Sequence, residues 1–292
     1  MELKRISQVR TLINNWGGEH REQTRRFARR LKGRFFVRIT PDQLDVALQN
    51  VSVSSSGVLF VHCSFSSCGY FTGGSDNVLD GLQRICQTLC MPTHTYCYPA
   101  DADPIAPLFS ADGTPSKTGI LTEQFRHRSG VLRSIHSTHS LAACGPMTRE
   151  ICRDHYKQDT PCGAGTPYST LVSLRASVLL FGVDFNCYTL FHTAEDASGS
   201  EFAYENGTLD RLRVVDEVGA EQDCWSRRQS FTPRRFAETG DLLESAGLVR
   251  RAKLGRGTLL FVPDCSKVHD FLVERLRRIP DFLYQSCAKS LQ

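Results

Sequence analysis

A chain of 292 residues, 40% of them hydrophobic, is long enough to bury one large α/β domain or two modest ones. No window approaches the roughly 20 consecutive apolar residues of a membrane span, and no secretory-type apolar run follows Met1-Glu2-Leu3-Lys4-Arg5, so a cytoplasmic protein with no membrane partner is expected. The net charge is only +4 and the arginine pairs are not interleaved with aromatics, which argues against nucleic acid; twelve cysteines without a CxxC pair argue for free thiols in a reducing compartment, with no metal expected.

In chain order, residues 1–38 read as a basic helical N-terminal extension. Ile6, Val9, Leu12 and Ile13 form one apolar stripe, and Phe27 and Leu31 another, broken at Trp16-Gly17-Gly18. The main domain is expected over 39–292. Thr40-Pro41 supplies an N-cap and a first-turn proline for a helix whose buried side would be Leu44, Val46, Ala47 and Leu48. Val58-Leu59-Phe60-Val61 reads as a strand buried on both faces, and Ser75 as the cap of a helix from Asp76 to Ile85; Thr88-Leu89-Cys90-Met91 is the next strand. That βαβ spacing predicts an α/β fold with a mostly parallel central sheet flanked by helices. Val178 to Val183 and Thr258 to Val262 add strands, and residues 196–224 read as a long excursion. A last helix begins after Asp264 or Ser266, with Val268, Phe271, Leu272 and Leu276 facing inward.

Three constellations carry polar chemistry. Ser64-Phe65-Ser66-Ser67-Cys68-Gly69 followed by Gly73-Gly74 lets backbone approach a ligand at the mouth of a helix, where free N–H groups suit a phosphate, although taken alone a tight strand–helix turn explains it better. Arg133-Ser134-Ile135-His136-Ser137-Thr138-His139-Ser140 sets two histidines three apart among hydroxyls, as a proton relay, a substrate-positioning cluster or a structural one; no third ligand at a telling spacing supports metal. In Thr189-Leu190-Phe191-His192-Thr193-Ala194-Glu195, a helix would make His192 and Glu195 i, i+3 neighbours, so that the carboxylate orients the imidazole, or forms a plain surface pair with it.

Taken together with Phe60-Val61-His62-Cys63-Ser64, Met91-Pro92-Thr93, Thr114-Pro115-Ser116-Lys117-Thr118-Gly119, Gly163-Ala164-Gly165-Thr166-Pro167-Tyr168 and Leu180-Phe181-Gly182-Val183-Asp184, these segments resemble the aminoglycoside 3-N-acetyltransferase family in order and spacing over about 135 residues, 58–195. The resemblance implies an antibiotic N-acetyltransferase-like α/β fold and direct acetyl transfer from acetyl-coenzyme A to a small-molecule amine. It matches His192 to the family's active-site histidine, with Glu195 orienting it. For the cofactor cleft it implies Ser64, Phe65, Ser66, Ser67, Gly69, Gly73, Gly74, Arg133, Ser134, Thr138 and Ser140, and for the acceptor His136, His139 and Glu123. A homo-oligomer stays open.

The sequence departs from the family at several places. His136-Ser137 stands where His-Pro is usual, and Trp225 to Phe236 is basic (Arg227, Arg228, Arg234, Arg235) where the family is acidic. An arginine-lined groove would repel a polycationic drug, which points to a biosynthetic amine such as a nucleotide-linked amino sugar as an alternative acceptor. Two other classes stand beside the main reading: a cysteine-dependent acyltransferase, and a binding module that keeps the coenzyme A cleft without turnover. Retention of both His192 and Glu195 speaks against the latter.

Overall fold

The computed structural model describes residues 37–53, 57–98 and 105–285; the expected extension over 1–38 lies almost entirely outside them, as does Cys287. A central seven-stranded sheet runs in the order β11 (Arg250–Leu254), β12 (Gly257–Val262), β8 (Ser177–Phe181), β2 (Val58–Cys63), β4 (Thr88–Pro92), β7 (Leu141–Cys144) and β6 (Leu132–Arg133). Its inner strands are apolar runs because both faces are covered. Phe60, Val178 and Leu180 point to one core with helices α5 (Thr148–Cys152), α6 (Pro167–Ser173), α7 (Leu190–Ser198), α8 (Phe236–Ser245) and α9 (Cys265–Arg278). Leu59, Val61, Leu179 and Phe181 point to the opposite core with α1 (Pro41–Asn50), α2 (Phe65–Cys68), α3 (Gly74–Arg84) and α4 (Ile120–Phe125). Each such fully buried side chain contributes about 1.5–3 kcal/mol of transfer free energy.

The sheet is mixed, which corrects the expectation of a mostly parallel one. Only β8–β2 and β2–β4 pair in parallel; β11–β12, β12–β8, β4–β7 and β6–β7 are antiparallel. The reason is connection length. β12 follows β11 across Gly255-Arg256, a tight turn with Gly255 at φ 57°, and so returns antiparallel instead of crossing over through a helix. The expected excursion over 196–224 holds the end of α7 and a long hairpin, β9 (Tyr204–Val215) with β10 (Glu221–Gln229), joined by β5 (Ile105–Phe109) into a second sheet. A third, two-stranded sheet pairs β1 (Arg38–Ile39) with β3 (Tyr70–Phe71).

Local signals held at several boundaries. Thr40 caps α1 in a capping box with Gln43, and Asp264 caps α9 by accepting from the N–H of Ser266. Val46, placed on the buried side of α1 by the sequence, is instead 53% exposed, because the helix turns Leu44, Ala47 and Leu48 inward. α3 starts one residue before Ser75: Gly73 is the N-cap, and Gly73 and Gly74 take left-handed φ of 82° and 76°, a pair of conformations that glycine alone tolerates readily. All eleven described cysteines are free thiols. Among the described residues no helix is long and apolar enough to cross a membrane.

Candidate active site

Strands β2, β4 and β8 run in parallel and finish at one edge of the sheet, the edge where α/β proteins collect their ligands. There, a cleft of about 310 Å³ is lined by His62 and Cys63 from the end of β2, Pro92 from the end of β4, and Val183 just past β8. His94, His139 and His192 also line it. A wider groove of about 580 Å³ meets the cleft at Val183 and Cys187. Among its lining are Ser64, Asp184, Asp241 and Glu244.

His192 sits in the first turn of α7, a helix with Leu190, Phe191 and Ala194 on its buried side; Glu195 shares the imidazole's face at i, i+3. The His192 Nδ1 to Glu195 Oε2 distance is 2.6 Å, and the two side chains are 18% and 2% exposed. Burial works against charge on Glu195, yet the His192 cation and hydrogen bond, with Arg234, hold its carboxyl below the usual carboxylate range. An ionised carboxylate only accepts, so Nδ1 carries the proton and donates it to Glu195. Nε2 makes no hydrogen bond among the described residues, and the side chain lines the cleft. The edge of Phe236 packs against the imidazole with centroids 5.4 Å apart.

The other histidines near the cleft are neutral. Burial pushes His62 down to about 3 and His139 down to about 3, and burial, followed by His139, holds His94 well below the imidazole range. Their hydrogen bonds fix tautomers. His94 Nε2 lies 2.8 Å from the hydroxyl of Tyr168, which donates to the carbonyl of His139 at 2.9 Å, so Nε2–H of His94 is the donor. His136 Nδ1 accepts from the backbone N–H groups of Thr138 and His139, each at 3.2 Å. Among the described residues no group of His, Cys, Asp and Glu side chains is arranged to hold a metal ion.

A sequence profile described as Aminoglycoside 3-N-acetyltransferase matches residues 60–277. The chain belongs to the aminoglycoside 3-N-acetyltransferase family. Aminoglycoside N(3)-acetyltransferase VIII of Streptomyces fradiae is 29% identical over 191 residues, 57% of this chain and 65% of that protein. Aminoglycoside N(3)-acetyltransferase VII of Streptomyces paromomycinus is 29% identical over 251 residues, 74% of this chain and 84% of that one. The solved structure of AAC-IIIb as a binary complex with CoASH is 21% identical and matches with a TM-score of 0.72 over 83% of this chain and 97% of that one, a likeness of fold.

Within this acetyltransferase fold the residues singled out in sequence divide. His192, Glu195 and His139 gather at the cleft, and Ser64 lines the adjoining groove. Ser67 spends its hydroxyl on the carbonyls of Ser64 and Gly182, at 2.8 and 2.6 Å, while Ser66 is exposed and Phe65 stacks on Phe71. A Cβ on Gly69 would stand 2.4 Å from the carbonyl oxygen of Val37, so close chain passage explains that glycine. Gly73 and Gly74 stay near the surface at the mouth of α3.

Arg133 is buried, down to about 10 through burial, and its donors go to Thr93, Ser140, Ala111 and Thr114 over the ring of Phe109. Ser140 and Thr93 close this network, and the Ser134 hydroxyl is taken by His155 Nδ1 at 2.9 Å. Thr138 bridges His136 and His139. Glu123 lies away from the cleft lining, gripped by both arms of Arg126, which holds its carboxyl down at about 2.

The arginines of the basic stretch do not line the cleft. Arg228 pairs with Asp210 at 2.6 Å, Arg227 lies over the ring of Tyr204, and Arg235 donates to the carbonyl of Phe282. Arg234 donates from Nε to Glu195 Oε1 at 2.7 Å. This contact, and the presence of His94, Tyr96, Tyr98 and Gln229 in the cleft, were not read from the sequence. His94 had a signal, since it follows the end of β4 by two residues, where parallel strands present ligand-binding side chains.

Proposed function

We propose that this protein is an acetyl-coenzyme A-dependent N-acetyltransferase that carries acetyl directly to an amino group of an aminoglycoside or a related amino sugar, with His192 as general base. The observation carrying the reading is a buried His192–Glu195 pair whose unbonded Nε2 belongs to the cleft at the strand ends, in a chain of this family. An amine attacks a thioester only as the free base. Imidazole at Nε2 takes the proton that nitrogen must lose as the new C–N bond forms; the acyl–sulfur bond then breaks and the thiolate leaves. Glu195 fixes the tautomer and steadies the imidazolium. Localisation in the cytoplasm and a domain over 39–292 accompany this reading.

A second acceptor class, a non-drug amine such as a nucleotide-linked amino sugar, is favoured by the cleft walls. Among the described residues the cleft lining includes His62, His94, His139, Tyr96, Tyr98 and Tyr188 but no carboxylate, so at the cleft itself a polycation meets rings and hydroxyls, and the carboxylates of Asp184, Asp241 and Glu244 line the adjoining groove. The basic stretch does not repel an acceptor from the cleft walls, because Arg234 is bound to Glu195 and Arg227, Arg228 and Arg235 are engaged outside the cleft.

The test is thiol release from acetyl-coenzyme A across a panel of aminoglycosides and nucleotide-linked amino sugars, for wild type and His192→Ala. The substitution should cut the chemical step by about 10²–10⁴ while coenzyme A affinity stays within a few-fold. Undiminished turnover in His192→Ala would remove the assignment.

A further inference from the structure

Glu195 has two charged partners, and the second comes from a distant part of the chain. Arg234, between β10 and α8, gives Nε to Glu195 Oε1 at 2.7 Å, opposite the 2.6 Å contact from His192 to Oε2. One of its terminal nitrogens donates to the carbonyls of Ser230 and Thr232 at 3.0 and 3.1 Å, and the guanidinium lies between the rings of Phe236 and Tyr284. Arg234 is 12% exposed, so bulk water screens the contact little.

Charge pairing gives this contact a purpose. A buried carboxylate whose sole partner is an imidazole is stable chiefly as an ion pair, with the imidazole holding the proton. An imidazole held that way cannot accept a proton from an amine. A permanent cation on the other oxygen lets the carboxylate remain ionised while the imidazole is neutral, and protonation of the ring then leaves the three groups with a net positive charge. The other titratable groups around the pair offer no substitute. The Tyr284 hydroxyl and Cys162 thiol, both raised first by burial, stay uncharged near Glu195, and Asp196 is an acid that accepts from Tyr204. Across the cleft, His94 and His139 are held neutral by burial.

We propose that Arg234 is a positioning residue: it supplies Glu195 with a standing counter-charge, so that His192 rests as the free base and acts as proton acceptor near neutral pH. The idea rests on His192 being the base.

The experiment is a kcat/KM profile against pH for the amine, at saturating acetyl-coenzyme A, in wild type, Arg234→Met, Arg234→Lys and His192→Ala. Arg234→Met should move the acid limb up by about one pH unit, so that activity lost near neutrality returns at high pH, with KM for acetyl-coenzyme A changed less than about twofold. Arg234→Lys, which keeps the charge, should restore most of the profile. A profile for Arg234→Met parallel to wild type, at any height, would overturn the proposal. Because a stranded buried carboxylate can unfold the single variant, Glu195→Gln is compared with Glu195→Gln/Arg234→Met. These two should share one acid limb, and separate limbs would show that Arg234 acts by another route and defeat the idea. Full activity in His192→Ala would instead strike the base assignment itself.

Discussion

His136 and His139 stand three apart in one short turn, yet only His139 reaches the cleft; His136 is pinned by two backbone N–H groups beneath it. Spacing alone could not separate them, because the turn between β6 and β7 has no periodicity that assigns faces. His192 and Glu195 were legible for the opposite reason: helical spacing fixes a shared face. Arg133, assigned to the cofactor cleft by the resemblance, donates from each of its nitrogens to the protein's own oxygens. Thiols show the same weight of environment over identity. Cys63 lines the cleft, but burial, then Cys68, pushes its thiol up; burial, then Asp184, raises exposed Cys187 as well. Neither is a ready thiolate. Mixing the protein with acetyl-coenzyme A alone should therefore give no stoichiometric acetyl adduct by mass spectrometry, and an adduct on either cysteine would move the chemistry to covalent transfer.

Elements buried on both sides announced themselves, and those with one wet face did not. β2, β4, β8 and β12 are apolar runs, and sequence reasoning found all four. β11 is Arg250-Arg251-Ala252-Lys253-Leu254, β9 and β10 are rich in polar and charged residues, and β6 has two residues, so each reads as surface or loop. Seeing only the middle of the sheet made it look mostly parallel. Packing between elements has its own blind spot at Gly240 in α8, where a Cβ would meet the Phe185 ring at 2.3 Å. Phe185 in turn stacks on Phe191 and packs at a tilt against Tyr188 beneath the cleft. Gly240→Ala gains about 1 kcal/mol of helix propensity, but overpacking costs about 1–3 kcal/mol, so the clash should win. Urea denaturation should show a lower midpoint, and a raised midpoint would mean that α8 can shift away from Phe185 freely.

Across the whole molecule, six of the nine histidines lie in or beside one buried cluster, and five of these, His62, His94, His136, His139 and His155, are pushed down by burial. Each is neutral when folded and takes up a proton near its ordinary value of 6.5 once unfolded. Their contribution is therefore fully present above that value and is lost as pH falls below it toward the folded values, about 3 for His62 and about 4 for His155. Each can cost up to about 1.4 kcal/mol per pH unit in that window. Glu195, lowered when folded, adds to the loss at more acid pH. Thermal melts stepped from neutral to mildly acid pH should fall steeply, with several protons bound on unfolding, and His155→Gln should flatten the slope by about one proton. A flat profile between pH 7 and 5 would show that these rings are not held neutral.

The segment carrying Arg234 is fastened by the last described residues. Arg234 bridges to Tyr284, the Arg235 N–H donates to the carbonyl of Leu283 at 2.8 Å, and the Gln285 N–H donates to the carbonyl of Pro233 at 3.0 Å. A ribosome that has just added Glu195 has already made the imidazole and its carboxylate, but residues 196 to 285 must still be made before the guanidinium can be tied beside them. Until then the chain also lacks β12 and α9, which complete the central sheet and the core behind α7, so no folded site surrounds the pair. Transfer activity should thus arrive late in biosynthesis and in one step.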